Sequence, residues 1–85
     1  AKQRKNRLRA IEQEEEKLLE RIEEAEAQRA QLQNRLSDPE VYSDGKKAAE
    51  VQQELSENDR HQQELAEQWE RIEEEKTRLE ELVYE

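Results

Sequence analysis

Apolar residues recur along the chain at alternating intervals of three and four, the spacing of a single stripe on an α-helix. In the first half the stripe runs Leu8, Ile11, Glu15, Leu18, Ile22, Ala25, Arg29, Leu32 and Leu36, with Glu15 and Arg29 its only polar members. It resumes as Ala48, Val51, Leu55, Asn58, Gln62, Leu65, Trp69, Ile72, Lys76, Leu79 and Val83, less apolar in its middle. Glu12, Glu14, Glu16, Glu20, Glu23 and Glu24 occupy the outer face between the stripe positions. Glu67 with Arg71 and Glu74 with Arg78 place acid four residues before base, an order worth a few tenths of a kcal/mol in helicity. The spacing predicts two helices, about 3–36 and about 46–83.

Between them lies Leu36-Ser37-Asp38-Pro39-Glu40-Val41-Tyr42-Ser43-Asp44-Gly45, which holds the only proline and the only glycine. A residue before proline is pushed out of the helical region, so Asp38 ends the first helix. Asp38 followed by Pro39 suits an N-cap with proline at the first helical position, which allows a brief helical turn across the tip. Ser43 or Asp44 offers a cap for the next helix. A tip at 37–45 that reverses the chain is the prediction; one long helix kinked at Pro39 is the competing reading.

Folding the chain about Tyr42 sets residues whose numbers sum to about 84 against each other. Leu36 then meets Ala48, Leu32 meets Val51, Leu18 meets Leu65 and Ile11 meets Ile72. Two independent stripes match through one tip, which predicts an all-α fold, a two-helix antiparallel coiled-coil hairpin forming one domain over 1–85. The same register sets Ile22 against Gln62, Ala25 against Asn58 and Arg29 against Leu55. This polar layer either fixes the register at a cost in stability or lets the shaft bend.

Composition separates this chain from a globular one: 31% of its residues are hydrophobic and 46% charged. Coiled coil and disorder share that profile, and the periodicity selects the first. With no cysteine, disulfides and thiolate metal sites are excluded. No apolar run reaches the length of a bilayer span, so a cytoplasmic chain without membrane contact is expected.

The formal charge of −9 is unevenly placed. Lys2, Arg4, Lys5, Arg7 and Arg9 give the first ten residues +5 with no acid, which leaves −14 for the remainder. Such asymmetry points to a polyanion. A solvated helix start is the plainer reading, and both can hold together. Lys46 and Lys47 add positive charge at the tip, opposed by Asp38, Glu40 and Asp44. Phosphate contact through Lys and Arg would be sequence-independent and salt-sensitive.

Catalysis needs a positioned nucleophile or acid/base pair in a water-poor cleft, which a helical hairpin does not offer. No catalytic residue, metal ligand set or cofactor is expected. His61 flanks the stripe beside Gln62, and Gly45 alone makes no phosphate loop. Trp69 sits on the stripe, where it is either a core anchor or, less simply, an exposed contact to a partner protein. Tyr42 at the tip either covers Leu36 and Val41 or offers a stacking or docking group.

The segments Leu36-Ser37-Asp38-Pro39-Glu40-Val41-Tyr42-Ser43-Asp44, Lys47-Ala48-Ala49-Glu50-Val51-Gln52-Gln53-Glu54-Leu55 and Gln68-Trp69-Glu70-Arg71-Ile72-Glu73 resemble the C-terminal domain of ABC-F ATPases of the Uup type. The resemblance spans about Ala10 to Leu82. It implies an antiparallel coiled coil attached to tandem ATP-binding domains, with links to the ribosome, translation and DNA binding; the hairpin itself is expected to be monomeric. DNA or ribosomal RNA and the protein's own ATP-binding domains are the partners it implies, and ATPase activity would belong to those domains. The N-terminal helical region of peptide-chain release factors is similar at the tip, though Trp69-Glu70 and the uninterrupted second stripe favour the ABC-F likeness. A structural spacer, a protein-docking coil or a dimerisation coil is the third class.

Overall fold

The computed structural model describes residues 2–83, with side chains through residue 81. It is all-α, with no strand among the described residues. Helix α1 spans Lys2–Leu36, α2 spans Pro39–Tyr42 and α3 spans Gly45–Val83. The spacing predicts two helices and the structure has three, because the tip carries a helical turn of its own. The molecule is slender, 63 × 15 × 14 Å. Val83, expected on the second stripe, lies outside the described side chains.

Both stripes face inward. Ile11, Leu18, Ala25 and Leu32 on α1, and Val51, Asn58 and Leu65 on α3, are buried at intervals of seven. The alternate stripe positions Leu8, Glu15, Ile22, Arg29 and Leu36, with Ala48, Leu55, Gln62 and Trp69, are half-buried. Each stripe therefore has one position aimed at the partner helix and one at its margin. Ile72, next in the seven-residue series, is half-buried as well, so α3 is less covered beyond Leu65.

Contacts across the pair run in opposite chain directions. Leu18, Ala25 and Leu65 form a buried cluster against which Ile22, Trp69 and Ile72 pack. Trp69 is thus the core anchor its position suggests. The Asn58 amide donates to the Ala25 carbonyl at 3.0 Å, in the expected register. Arg29 departs from expectation: its guanidinium bonds Asp59 at 2.7 Å, at the margin of the stripe where the charge stays wet. Arg35 reaches Glu54 at 3.5 Å. The outer pairs Glu67–Arg71 and Glu74–Arg78 do not close among the described residues; the i,i+4 pair that does is Arg60–Glu64, at 3.6 Å.

The tip is built from caps. Asp38 is extended (φ −74°, ψ 125°), as the residue before proline must be, and its carboxylate accepts from the Glu40 N–H at 3.0 Å with Pro39 in the first turn. Ser43 ends α2, donating its N–H to the Pro39 carbonyl at 3.1 Å. The Asp44 carboxylate then accepts from the N–H groups of Lys46 at 3.0 Å and Lys47 at 3.3 Å, capping α3. Gly45 is the first residue of α3 and does not have a positive φ. The two aspartates and the proline make the reversal without a left-handed residue.

Candidate nucleic-acid interface

The cations named from the sequence fall into two groups at opposite ends of the shaft. Lys2, Arg4, Lys5, Arg7 and Arg9 occupy the start of α1, the base, whereas Lys46 and Lys47 begin α3 at the tip. From Arg9 to Leu36 the rise of ~1.5 Å per residue puts about 40 Å between them. The seven do not form one patch.

Within the base group the helical spacing sorts the side chains. Lys2, Lys5 and Arg9, at i, i+3 and i+7, share a face; all three are exposed and form no ion pair among the described residues. Arg4 falls in line with Ile11 on the stripe and is half-buried. Arg7 lies on the other side, where Nε donates to Glu75 Oε1 at 2.8 Å and Nη2 closes an ion pair with the same oxygen. That contact raises the Arg7 pKa further above its already high ordinary value. Arg7, expected to meet phosphate, is instead held by α3.

The antiparallel course brings an acidic end of α3 beside this base. Glu15, the polar member of the first stripe, pairs with Lys76, the polar member of the second, at 3.1 Å. The hydrogen bond and the negative charge of Glu15 raise the Lys76 pKa. Glu73 also meets Glu15, and the shared hydrogen bond, some desolvation and like-charge repulsion push its carboxyl above the usual glutamate range against the pull of Lys76. No acid occupies the first turn of α1.

At the tip Tyr42 is 60% exposed, so it does not bury itself over Leu36 and Val41. Lys46 and Lys47 are exposed behind the Asp44 cap. His61 is exposed beside the half-buried Gln62, as its phase requires.

Sequence reasoning missed how the polar middle layer is satisfied. Asn58 is 6% exposed, its amide donating to the Ala25 carbonyl and its oxygen accepting from the Gln62 amide at 2.6 Å. Gln28 stands 3.5 Å from the same Asn58 nitrogen. The signal available in the sequence was the pairing of the smallest buried residue of one stripe with the shortest amide of the other.

Among the described residues no group of three or more His, Asp or Glu side chains is placed to hold a metal ion, and no helix is long and apolar enough to cross a membrane. No curated protein and no solved structure matches the chain. The family model described as ABC transporter C-terminal domain does match, over residues 7–74. That span takes in most of both long helices, the tip and the polar layer, and it favours the ABC likeness over the release-factor one. The chain belongs to the ABC transporter C-terminal domain family, an accessory domain of an ABC protein.

Proposed function

We propose that this chain is the C-terminal accessory domain of an ABC-F ATPase of the Uup type, acting as a two-helix antiparallel coiled-coil hairpin that binds nucleic acid. As a monomeric domain over 1–85 it works in the cytoplasm by binding and positioning, while ATP hydrolysis resides in ATP-binding domains outside these residues. DNA or ribosomal RNA is the partner, the latter placing the protein in translation. One observation carries the reading: Lys2, Lys5 and Arg9 share an exposed face and have no carboxylate partner among the described residues. Glu12 and Glu16 continue that face, so a bound phosphate backbone is confined to the base.

Fluorescence anisotropy of labelled duplex DNA and structured RNA, at low and near-physiological salt, tests this. K2Q/K5Q/R9Q should lose most of the binding and K46Q/K47Q little, and a preference for RNA would favour the ribosome. Equal binding by wild type and the triple variant would remove the base from consideration.

A second reading, a hairpin that docks on its own ATP-binding domains, gains support from Arg7, which is already committed to Glu75, and from the exposed Tyr42 at a tip with mixed charge. It predicts no binding to either nucleic acid even at low salt.

A further inference from the structure

We infer that Asn58 and Ala25 form a register lock, a polar key and a small-residue socket that admit one alignment of α1 against α3. The stripes repeat every seven residues, so apolar matching alone leaves alignments one heptad apart close in energy. The buried series of α1 is Ile11, Leu18, Ala25, Leu32, and that of α3 is Val51, Asn58, Leu65. Each contains a single exception to bulky aliphatic side chains, and the two exceptions face each other.

Ala25, 3% exposed, is small enough for the Asn58 amide to approach the α1 backbone and donate to its carbonyl at 3.0 Å. The Asn58 oxygen is used as well, by Gln62. No buried side-chain nitrogen or oxygen among the described residues is left without a partner. A slip of one heptad would set Asn58 against Leu18 or Leu32. There an isobutyl group stands between the amide and the backbone, and a buried amide without a partner is strongly disfavoured. A polar residue at one stripe position fixes coiled-coil register in this way.

Within one chain the Asp38 and Asp44 caps also resist slipping, because seven residues would have to pass through the tip. The lock therefore matters most when stripes of two copies meet. It holds α1 and α3 in a single alignment and so keeps the tip and the base at fixed positions. This inference stands on the packing and is independent of what the base binds.

Cysteine pairs read the register. Arg7 and Glu75 stand level and approach in the native alignment, so R7C/E75C should cross-link within the chain. R7C/Q68C and E14C/E75C report slips of one heptad. In the native background only the first pair should form. With N58L added, the slipped pairs or cross-links between copies should rise about tenfold, the ratio that corresponds to ~1.4 kcal/mol. The exchanged variant A25N/N58A moves the amide to α1 and the socket to α3, and should restore the single alignment. Exclusive native cross-linking in N58L would overturn the lock, as would an exchanged variant that slips as freely as N58L.

Discussion

Leu18 and Leu19 are neighbours in sequence and opposites in the fold. Leu18 is 3% exposed in the cluster with Ala25 and Leu65, while Leu19 is 47% exposed. Replacing each with alanine holds chemistry and helix position nearly constant and changes only the face. For a buried leucine the loss is ~2–5 kcal/mol, depending on how far the site collapses. A two-helix shaft relaxes readily, so the lower end, about 2–3 kcal/mol, applies to Leu18→Ala. An unfolding entropy of ~2.1 cal/mol/K per residue converts that to a fall of about 11–17 °C in Tm. Leu19→Ala removes surface that is already wet, and should stay within ~0.5 kcal/mol, under about 3 °C. Thermal unfolding followed by far-ultraviolet circular dichroism at matched concentration measures both. Equal losses, or a larger loss for Leu19→Ala, would mean that α1 presents a different face to α3 and would refute the register.

Three other perturbations address separate parts of the account. Gly45→Ala should raise stability by about 0.4–1 kcal/mol in urea unfolding, because Gly45 does not have a positive φ and a Cβ there meets nothing within 4 Å. Asp44→Ala removes the carboxylate that caps α3 through the Lys46 and Lys47 N–H groups, and should cost ~1 kcal/mol with faster amide exchange confined to the tip. Glu73 binds its proton more tightly folded than unfolded, so stability falls as pH rises from the ordinary glutamate range through the raised value. Glu73→Gln should accordingly exceed wild type in Tm at pH 7 and converge with it in acid, where Glu73 is protonated in both states; a difference of the opposite sign would refute the contact with Glu15.

Much of the fold was legible because burial follows the heptad. The spacing of Leu8 to Leu36 named all four buried residues of α1, and the 84-sum register foresaw Leu18 with Leu65 and Ala25 with Asn58. The caps of Asp38 and Asp44 were readable for a local reason, since each bonds an N–H two residues on. Charged side chains were harder to place. Arg29, Arg7 and Lys76 are long enough to choose among carboxylates within a turn of their stripe position, and their choices of Asp59, Glu75 and Glu15 depend on the relative rotation of two helices. The sequence run of five cations at the base suggested one patch. Helical phase splits it, with Lys2, Lys5 and Arg9 on one face, Arg4 on the stripe and Arg7 across the pair.

Glu15 and Lys76 show how polar stripe residues are tolerated. Each interrupts its own stripe, and together they form a partly shielded pair at 3.1 Å with 15% and 29% of the side chains exposed. Such a pair adds little stability by itself. It does place a charge-dependent layer between the base and the hydrophobic cluster, next to the proposed phosphate contacts. The polar layer at Asn58 and the ionic layer at Glu15 thus divide the shaft, with Leu18, Ile22, Leu65, Trp69 and Ile72 packed between them.

The most direct test of the proposed role is the salt dependence of duplex DNA binding, compared between wild type and K2Q/K5Q/R9Q. Each phosphate neutralised contributes ~0.9 to the slope of log K against log salt. If Lys2, Lys5 and Arg9 are the contacts, the triple variant should lose roughly 2.7 from that slope together with most of its low-salt affinity. An unchanged slope and affinity would contradict a phosphate-binding base.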